Sequence, residues 1–226
     1  MSRNKVVRTP VNRQIPVIMS EMQTAADTLQ EIGWGVSVFG SARIKPDSPY
    51  YAMGEALGTK LAQAGLPVIA GGGPGIMEAA NKGAYTSGGQ SIGLNIKLPK
   101  ETKNNDYQTH SLHFEYFYSR KATFFMHSAA FIALPGGFGT LDELFEVLTL
   151  IQTGKIPHAP IILMGSDYWS GLLKWIANEL EPRQLIGPND LQLMTMTDDI
   201  DEAMHTIQTF MQSQADQLGY AAIIPE

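Results

Sequence analysis

The 226-residue sequence contains no cysteine and only 17% charged residues, with a net charge of -6. Without cysteine there is no disulfide, no thiol nucleophile and no cysteine-ligated metal, and this composition fits a reducing cytoplasm. No apolar run reaches the about 18 to 20 residues of a membrane-spanning helix, and the acidic balance argues against a nucleic-acid surface spread over the molecule. We therefore expect a cytoplasmic protein without membrane or nucleic-acid partners, although a local basic pocket is compatible with this charge.

The N-terminal segment, residues 1–20, contains four basic side chains and no acid before Glu21. Its apolar part is too short for a secretory signal, so we expect a basic leader that is mobile or packed on the surface. A transit peptide or a basic arm is the alternative. The chain is 44% hydrophobic and long enough for one sizeable domain, which we assign to residues 21–226.

Apolar, β-branched runs alternate with helical patterns along the chain. Predicted strands lie at 35–39, 66–70, 91–96, 129–134 and 160–164, and predicted helices at 20–32, 49–64, 76–87, 119–128, 141–151, 168–181 and 198–214. Residues 98–117 are predicted to form an irregular lid or wall. Near-continuous apolar strands separated by helices are typical of parallel sheets. The sequence thus predicts an α/β fold: a single-domain, Rossmann-like, doubly wound parallel sheet with helices on both faces.

Two glycine-rich turns each follow a predicted strand and precede a predicted helix: GGGPG at 71–75 and PGGFGT at 135–140. Glycine lets the backbone approach a ligand closely, and the N-terminus of a helix offers free N–H groups and a positive dipole end to an anion. In a parallel sheet with right-handed crossovers both turns lie at the same edge. We therefore expect them to converge on one phosphorylated ligand.

The common nucleotide-binding motifs fit neither turn. Both turns lack the third glycine of G-x-G-x-x-G, and the acid expected about 20 residues later is missing, so an NAD site is not predicted. Gly154-Lys155 is followed by isoleucine and lacks the earlier glycine of a P-loop. His110 and His113 have the spacing of a metal pair but no third ligand. No cofactor and no metal are expected.

Charged or polar residues lie close to these turns. The turn GSAR at 40–43 follows a predicted strand and fits a ligand-side loop or an ordinary βα connection equally well. Arg120 and Lys121 lie near the start of a predicted helix, where cations are unfavourable unless an anion is close. Thr140 and Glu143 have the spacing of a capping box, so Glu143 is interpreted as a helix cap, as a catalytic carboxylate beside the anion, or as both.

These motifs together resemble a known family. Arg120-Lys121 followed by PGGFGTLDE at 135–143 is similar to the R-K and P-G-G-x-G-T-x-x-E pair of the LOG (lonely guy) family of cytokinin-activating phosphoribohydrolases. The similarity extends to Gly40-Ser41 and to the sequence GGGPGIMEAANKGA. It implies hydrolysis of the N-glycosidic bond of a nucleoside 5'-monophosphate, either AMP or a cytokinin riboside monophosphate, to a free base and ribose 5-phosphate.

The resemblance also assigns roles to individual residues. It implies that Arg120 and Glu143 are the catalytic pair. The substrate contacts that it implies are Gly40, Ser41, Gly72, Gly73, Glu78, Lys121, Gly136, Gly137, Phe138, Gly139, Thr140, Asp142 and Thr149. It further implies a homodimer, and the sequence Phe124-Phe125-Met126 fits either the interface or the core.

Two alternatives stay open at this point. A non-catalytic carrier of a phosphorylated ligand, resembling molybdenum-cofactor carriers, would use the same cradle but needs no base. A nucleosidase that salvages AMP would share the chemistry without a role in hormone activation. The family's older label, lysine decarboxylase, finds no support, since no pyridoxal-phosphate lysine motif is recognisable.

Overall fold

Seven parallel strands form one sheet in the part of the chain that the computed structural model describes, residues 10–98 and 103–218. They are β1 (Gly35–Phe39), β2 (Val68–Ala70), β3 (Ser91–Ile96), β4 (His110–Phe114), β5 (Ser128–Ala133), β6 (Ile161–Leu163) and β7 (Met194–Met196). Their spatial order is β4-β3-β2-β1-β5-β6-β7, and every neighbouring pair is parallel. The predicted doubly wound parallel sheet is confirmed.

Helices connect the strands. They are α1 (Val11–Gln30), α2 (Pro49–Gln63), α3 (Ile76–Thr86), α4 (Phe117–Met126), α5 (Phe138–Gln152), α6 (Ser166–Trp175) and α7 (Ile200–Leu218), with a π-helical turn at Ile176–Leu180 and a 3-10 helix at Asp190–Leu193. Side chains of α2, α3 and α7 pack in one buried cluster, and those of α1, α4, α5 and α6 pack in another. The helices therefore lie on both faces of the sheet, as predicted.

The strands divide their side chains between these two clusters. In β1, Val36 and Val38 lie in the α2-α3-α7 cluster, whereas Phe39 lies in the other. In β5, Ile132 and Phe131 are divided in the same way. Successive side chains of a strand point to opposite faces, and because helices cover both faces, apolar residues are favoured at every position. This explains why the strands are continuous apolar runs in the sequence.

The direction of winding reverses between β1 and β5. From β1 the chain proceeds through β2 and β3 to the edge strand β4, and it then returns to place β5 on the other side of β1. Loops at the carboxyl ends of two such strands diverge and leave a crevice, where ligands of open α/β sheets bind. The turns that follow β1 and β5 therefore flank the expected binding site.

The segment predicted as an irregular lid is only partly irregular. Residues 110–114 form the edge strand β4, which pairs with β3, so the lid predicted over 98–117 is wrong for this part. Leu112 and Phe114 are buried, whereas Ser111 and His113 are exposed. The search for continuous apolar runs misses such a strand, because polar residues alternate with apolar ones where one face is open. The short edge strand β7 is also absent from the prediction.

The first helix begins earlier than predicted. α1 starts at Val11 rather than at residue 20, so half of the expected leader is helical despite the presence of Pro16. Glu21 on this helix accepts hydrogen bonds from the Glu115 N–H (2.6 Å) and the Ser119 hydroxyl (2.5 Å), which ties α1 to the start of α4. Residues 1–9 lie outside the described residues, and the division of the chain into leader and domain stays a prediction.

Candidate active site

A cleft of about 700 Å³ lies at the carboxyl edge of the sheet. Its walls include residues of three turns: 40–43 after β1, then Gly71, Gly73 and Pro74 after β2, and 136–140 after β5. Apolar residues add to the lining, and they are Met77, Ile96, Leu98, Phe117 and Leu141; Asn104, Arg120, Glu143 and Tyr168 line the cleft as well. The two glycine turns therefore converge on one space at the reversal of the sheet.

Backbone hydrogen bonds join the three turns. The N–H of Ser41 donates to the carbonyl of Pro135 (3.1 Å), and the carbonyl of Ser41 accepts from the N–H of Ile76 (3.0 Å). Gly40 lies so close to Ile76 that a Cβ atom at this position would collide with the isoleucine side chain. The turn after β1 is therefore wedged between the other two, and it depends on glycine for this close approach.

Two helices, α3 and α5, begin at the cleft without a side-chain cap. Their N-cap residues are Gly75 and Gly137, which have no side chain to accept from the first N–H groups. The first turn of α5 also has no acidic residue. Free N–H groups at the positive end of a helix dipole bind anions. The N–H of Ile76 at the start of α3 already donates to the carbonyl of Ser41, whereas the first residues of α5 line the cleft, so a phosphate group there would meet the start of α5.

Glu143 is not a helix cap. Because α5 begins at Phe138, Thr140 is its third residue and Glu143 its sixth, which is too far along the helix for the capping-box geometry. No side chain caps this helix, so the predicted capping box is wrong. Sequence alone leaves the first residue of a helix uncertain by one or two positions, and the spacing is therefore misleading here. Thr140 is buried and packs against Gly136.

Arg120 reaches from α4 into the lining of the cleft, and it is only 5% exposed. Its Nε donates to the carbonyl of Leu94 (2.7 Å) and its Nη2 to the carbonyl of Gly71 (3.2 Å). Burial lowers the pKa of Arg120 and the carboxylate of Glu143 opposes this shift, but an arginine stays charged in proteins. Two backbone carbonyls thus fix the guanidinium and leave Nη1 to face Glu143.

Glu143 is the acid that lines the cleft beside this guanidinium. Its Oε1 lies 3.5 Å from Nη1 of Arg120, and its side chain is 14% exposed. Burial raises the pKa of Glu143 to about 7, because the positive charge of Arg120 only partly offsets the loss of hydration. A carboxyl group with a pKa near neutrality takes up and releases protons readily at physiological pH.

Lys121, the neighbour of Arg120, has different partners. Its Nζ lies 3.0 Å from Oδ2 of Asp142 and 2.5 Å from Oε2 of Glu146, both on α5. Burial lowers the pKa of Lys121, but hydrogen bonds to the two carboxylates outweigh it and the net shift is upward. Lys121 does not line the cleft. This side chain therefore links α4 to α5.

Ten of the residues implied as catalytic or substrate-binding line the cleft. They are Gly40, Ser41, Gly73, Arg120, Gly136, Gly137, Phe138, Gly139, Thr140 and Glu143. The other five, Gly72, Glu78, Lys121, Asp142 and Thr149, do not. Glu78 instead accepts a hydrogen bond from the hydroxyl of Tyr51 (2.8 Å), and the exposed Thr149 donates to the carbonyl of Phe145 (2.7 Å).

The sequence interpretation missed the support beneath the GGGPG turn. The carbonyl of Gly72 accepts from the backbone N–H of Asn105 (2.8 Å) and from Nε2 of Gln108 (3.0 Å). The carbonyl of Gly73 accepts from Nδ2 of Asn105 (3.0 Å). These amides belong to the segment predicted as a lid, where polar residues without periodicity carry no signal for a buried contact. The segment braces the turn from below.

Tyr168 is a second residue that sequence reasoning missed. It lies near the start of α6 and lines the cleft, and its hydroxyl donates to the carbonyl of Gly136 (2.5 Å). The sequence shows only that a tyrosine stands at the beginning of a helix, so no pattern connects it to a turn more than 30 residues earlier. Its contact helps to hold the PGGFGT turn in place.

Neither a metal centre nor a membrane span is present in the part of the chain that the structure describes. Within residues 10–98 and 103–218, no three His, Asp or Glu side chains are grouped so that they could hold a metal ion. None of the helices in these ranges is both long and apolar enough to cross a membrane.

Comparison with known proteins identifies the family of this chain. The family model described as "Possible lysine decarboxylase" matches residues 77–207, more than half of the chain. The cytokinin riboside 5'-monophosphate phosphoribohydrolase LOG4 of Arabidopsis thaliana is 29% identical over 89% of this chain and 99% of its own length. The chain belongs to the LOG family.

Two further LOG relatives carry the same type of name. The probable cytokinin riboside 5'-monophosphate phosphoribohydrolase LOGL5 of Oryza sativa subsp. japonica is 36% identical over 62% of this chain and 58% of its own length. The cytokinin riboside 5'-monophosphate phosphoribohydrolase of Mycobacterium marinum is 29% identical over 76% of this chain and 91% of its own length. Both Arg120 and Glu143 lie inside the residues that the family model matches.

Solved structures with the same fold include proteins of a different kind. The molybdenum cofactor carrier protein of Chlamydomonas reinhardtii is 20% identical, with a TM-score of 0.57 over 80% of this chain and 99% of its own. The structural-genomics target TM1055 is 21% identical, with a TM-score of 0.58 over 78% of this chain and 99% of its own. Likenesses at this level of identity demonstrate a common fold, and the LOG family shares that fold with them.

Proposed function

We propose that this LOG-family protein hydrolyses the N-glycosidic bond of a nucleoside 5'-monophosphate and releases a free base and ribose 5-phosphate. The observation that carries the proposal is the pair formed by Arg120 and Glu143, nearly buried in a cleft that is also lined by the uncapped N-terminus of α5. The relatives described above are named for this reaction on cytokinin riboside 5'-monophosphates.

The 5'-phosphate is assigned to the turn between β5 and α5. A Cβ atom added at Gly137 or Gly139 would meet no atom of the described residues within 4 Å, so a ligand can reach the backbone there. The first residues of α5 line the cleft, and no side-chain cap competes for the N–H groups at the start of this helix. Such an arrangement binds phosphate through hydrogen bonds and the helix dipole.

Glu143 is assigned the chemical step. As the bond between C1' and the base nitrogen breaks, its electron pair leaves with the base and positive charge develops on the ribose. The ionised carboxylate stabilises this charge and takes a proton from the water whose oxygen bonds to C1'. The departing base gains one proton, which balances the one that water loses. Arg120 favours the ionised form of Glu143 at the moment when it acts.

The base is assigned to the apolar part of the cleft. Met77, Ile96, Leu98 and Phe117 provide apolar surface there, which suits a purine ring with or without a hydrocarbon substituent. The substrate is therefore AMP or an N6-prenylated relative of it. A carrier of molybdenum cofactor needs the cradle alone, and the pairing of a buried acid with a fixed guanidinium favours the hydrolase.

A substrate panel tests this function. The purified protein is incubated with AMP and with isopentenyladenosine 5'-monophosphate, and the release of ribose 5-phosphate is measured. We expect release from at least one of them, and the ratio of the two kcat/KM values separates a salvage enzyme from a cytokinin-activating one. No release from any adenine nucleoside monophosphate, with the protein folded, would overturn the proposal.

We also propose a homodimer formed through α4 and α5. Large apolar side chains that do not line the cleft are exposed on these helices, and they are those of Tyr118, Met126 and Phe145. Phe124 and Phe125 belong to the core, which leaves Met126 as the interface candidate of that sequence. Exposed apolar patches of this kind mark interaction surfaces. Light scattering is expected to give twice the mass of the chain, and the mass of one chain would contradict the dimer.

The cytoplasmic location of the protein stays a prediction.

A further inference from the structure

Among the residues that the structure describes, three charged ones line the cleft: Arg43, Arg120 and Glu143. Arg120 is engaged by the carbonyls of Leu94 and Gly71 and by Glu143. The exposed side chain of Arg43 has neither a hydrogen bond nor an ion pair with any residue in 10–98 or 103–218. Counted over these described side chains, the cleft carries a net positive charge, although the net charge of the chain is -6.

The backbone that carries Arg43 is held firmly in place. Its N–H donates to the hydroxyl of Ser41 (3.1 Å). Ser41 is in turn hydrogen-bonded to Pro135 on one side and to Ile76 on the other. Arg43 therefore extends from a fixed turn that lies between the N-terminal ends of α3 and α5, while its guanidinium is available to a ligand.

The chemistry of the expected ligand requires such a cation. A phosphate monoester carries a charge of about -1.5 to -2 at neutral pH, whereas a helix end supplies only about half a positive charge. Lys121 cannot serve within this chain, since it is held by Asp142 and Glu146 and does not line the cleft. Guanidinium groups bind phosphate oxygens through two parallel hydrogen bonds.

We propose that Arg43 binds the 5'-phosphate of the nucleotide and selects phosphorylated substrates over nucleosides. The identity of the ligand in this inference rests on the proposed function. The choice of Arg43 rests on its position at the cleft and on its guanidinium, which is not engaged by any described residue. It resolves the ambiguity of the GSAR turn in favour of a ligand-side loop.

The test compares Arg43→Ala and Arg43→Lys with the matched control Lys45→Ala. Lys45 is an exposed cation on the same loop, and it does not line the cleft. For Arg43→Ala we expect KM for AMP to rise by about 10- to 100-fold, the range of a charge-assisted hydrogen bond, with kcat changed much less. Arg43→Lys recovers part of the loss, and Lys45→Ala resembles the wild type. The preference for AMP over adenosine falls with the rise in KM.

Calorimetric titration with ribose 5-phosphate separates this inference from the proposed function, because it requires no turnover. Weaker binding by Arg43→Ala but not by Lys45→Ala supports the assignment even if no substrate is cleaved. Hydrolysis of AMP with an unchanged KM in Arg43→Ala would overturn the role of Arg43 and leave the hydrolase in place. A wild-type protein that neither cleaves AMP nor binds ribose 5-phosphate would contradict both. Equal thermal unfolding of the variants excludes misfolding as the cause.

Discussion

The two glycine turns have the same position in the fold, yet their glycines meet different surroundings. At Gly71, Gly72 and Gly73 of the first turn, a Cβ atom would strike side chains of Arg120, Asn95 or Met77. At Gly137 and Gly139 of the second turn, it would meet no described atom within 4 Å. The first turn needs glycine because protein surrounds it, whereas Gly137 and Gly139 of the second turn stand where space is left for a ligand. Gly136 of the second turn is the exception, because a Cβ atom there would strike Thr140.

The helices that follow the two turns also differ in what they present. Glu143 on α5 lines the cleft beside Arg120, whereas Glu78 on α3 is turned to the hydroxyl of Tyr51. The carbonyl of Gly71 in the first turn also holds the guanidinium of Arg120. One turn thus supports the cation of the proposed catalytic pair, and the other leads into the helix that carries the acid of this pair. A shared motif does not imply a shared task.

The largest expected effect comes from replacing the glutamates of the two helices by glutamine, one at a time. Glu143→Gln should lower kcat for AMP hydrolysis by about a hundredfold or more, because it removes a preorganised charge and the base. Glu78→Gln keeps a hydrogen-bond acceptor for Tyr51 and should leave kcat and KM within a few-fold. Steady-state assays measure both, with circular dichroism to confirm folding. A raised KM in Glu78→Gln would instead support the substrate contact that the resemblance implies.

The next effect concerns the glycines themselves. Gly72 has a φ of +74°, and an added Cβ would collide with Asn95, so Gly72→Ala should lower the free energy of unfolding by about 2 to 4 kcal/mol. Gly139 lies in α5, where an added Cβ atom meets no described atom, so Gly139→Ala should change the free energy of unfolding by less than about 1 kcal/mol. Its methyl group narrows the phosphate space, so KM should rise roughly tenfold. Chemical denaturation measures the free energy of unfolding of each variant, and steady-state kinetics measures KM. Equal free energies of unfolding in Gly72→Ala and Gly139→Ala would contradict the difference between the two turns.

The last expected effect is of a different kind, a dependence of stability on pH that Glu143 on the second helix provides. Burial raises the pKa of Glu143 from an ordinary 4.5 to about 7 in the folded chain, so this group favours folding below the lower value and loses that contribution as pH rises through 7. We expect the unfolding free energy of the wild type, relative to Glu143→Gln, to fall between pH 5 and pH 8. A difference between the two proteins that stays constant with pH would exclude the raised pKa.

The sequence predicts most of the fold because its strands are buried on both sides. β1 and β3 have the predicted bounds, since continuous apolar runs limited by turns define them. β4 escapes prediction because only Leu112 and Phe114 face the core, and an alternating pattern of five residues is too short to separate from a loop. Edge position, which sequence does not report, decides whether a strand is apolar throughout.

The sequence predicts which residues belong to the candidate site, but it does not predict the contacts that these residues make. Arg120 and Glu143 stand in motifs that can be recognised, but the ties of Arg120 to the carbonyls of Leu94 and Gly71 depend on strands distant in sequence. For the same reason the brace formed by Asn105 and Gln108 has no signature. Side-chain contacts with backbone carbonyls require only a donor at the right place, which many sequences provide.

The pair of hydrogen bonds made by Ser41 has a consequence for the entropy of binding. Because this residue is fastened to Pro135 and to Ile76, the rim of the cleft is ordered before any ligand arrives. A ligand that meets an ordered rim does not have to restrict the backbone in order to be bound, and more of the interaction free energy is kept as affinity. We therefore expect the selectivity of the cleft to be set mainly by the side chains that this ordered rim carries, with the guanidinium of Arg43 among them.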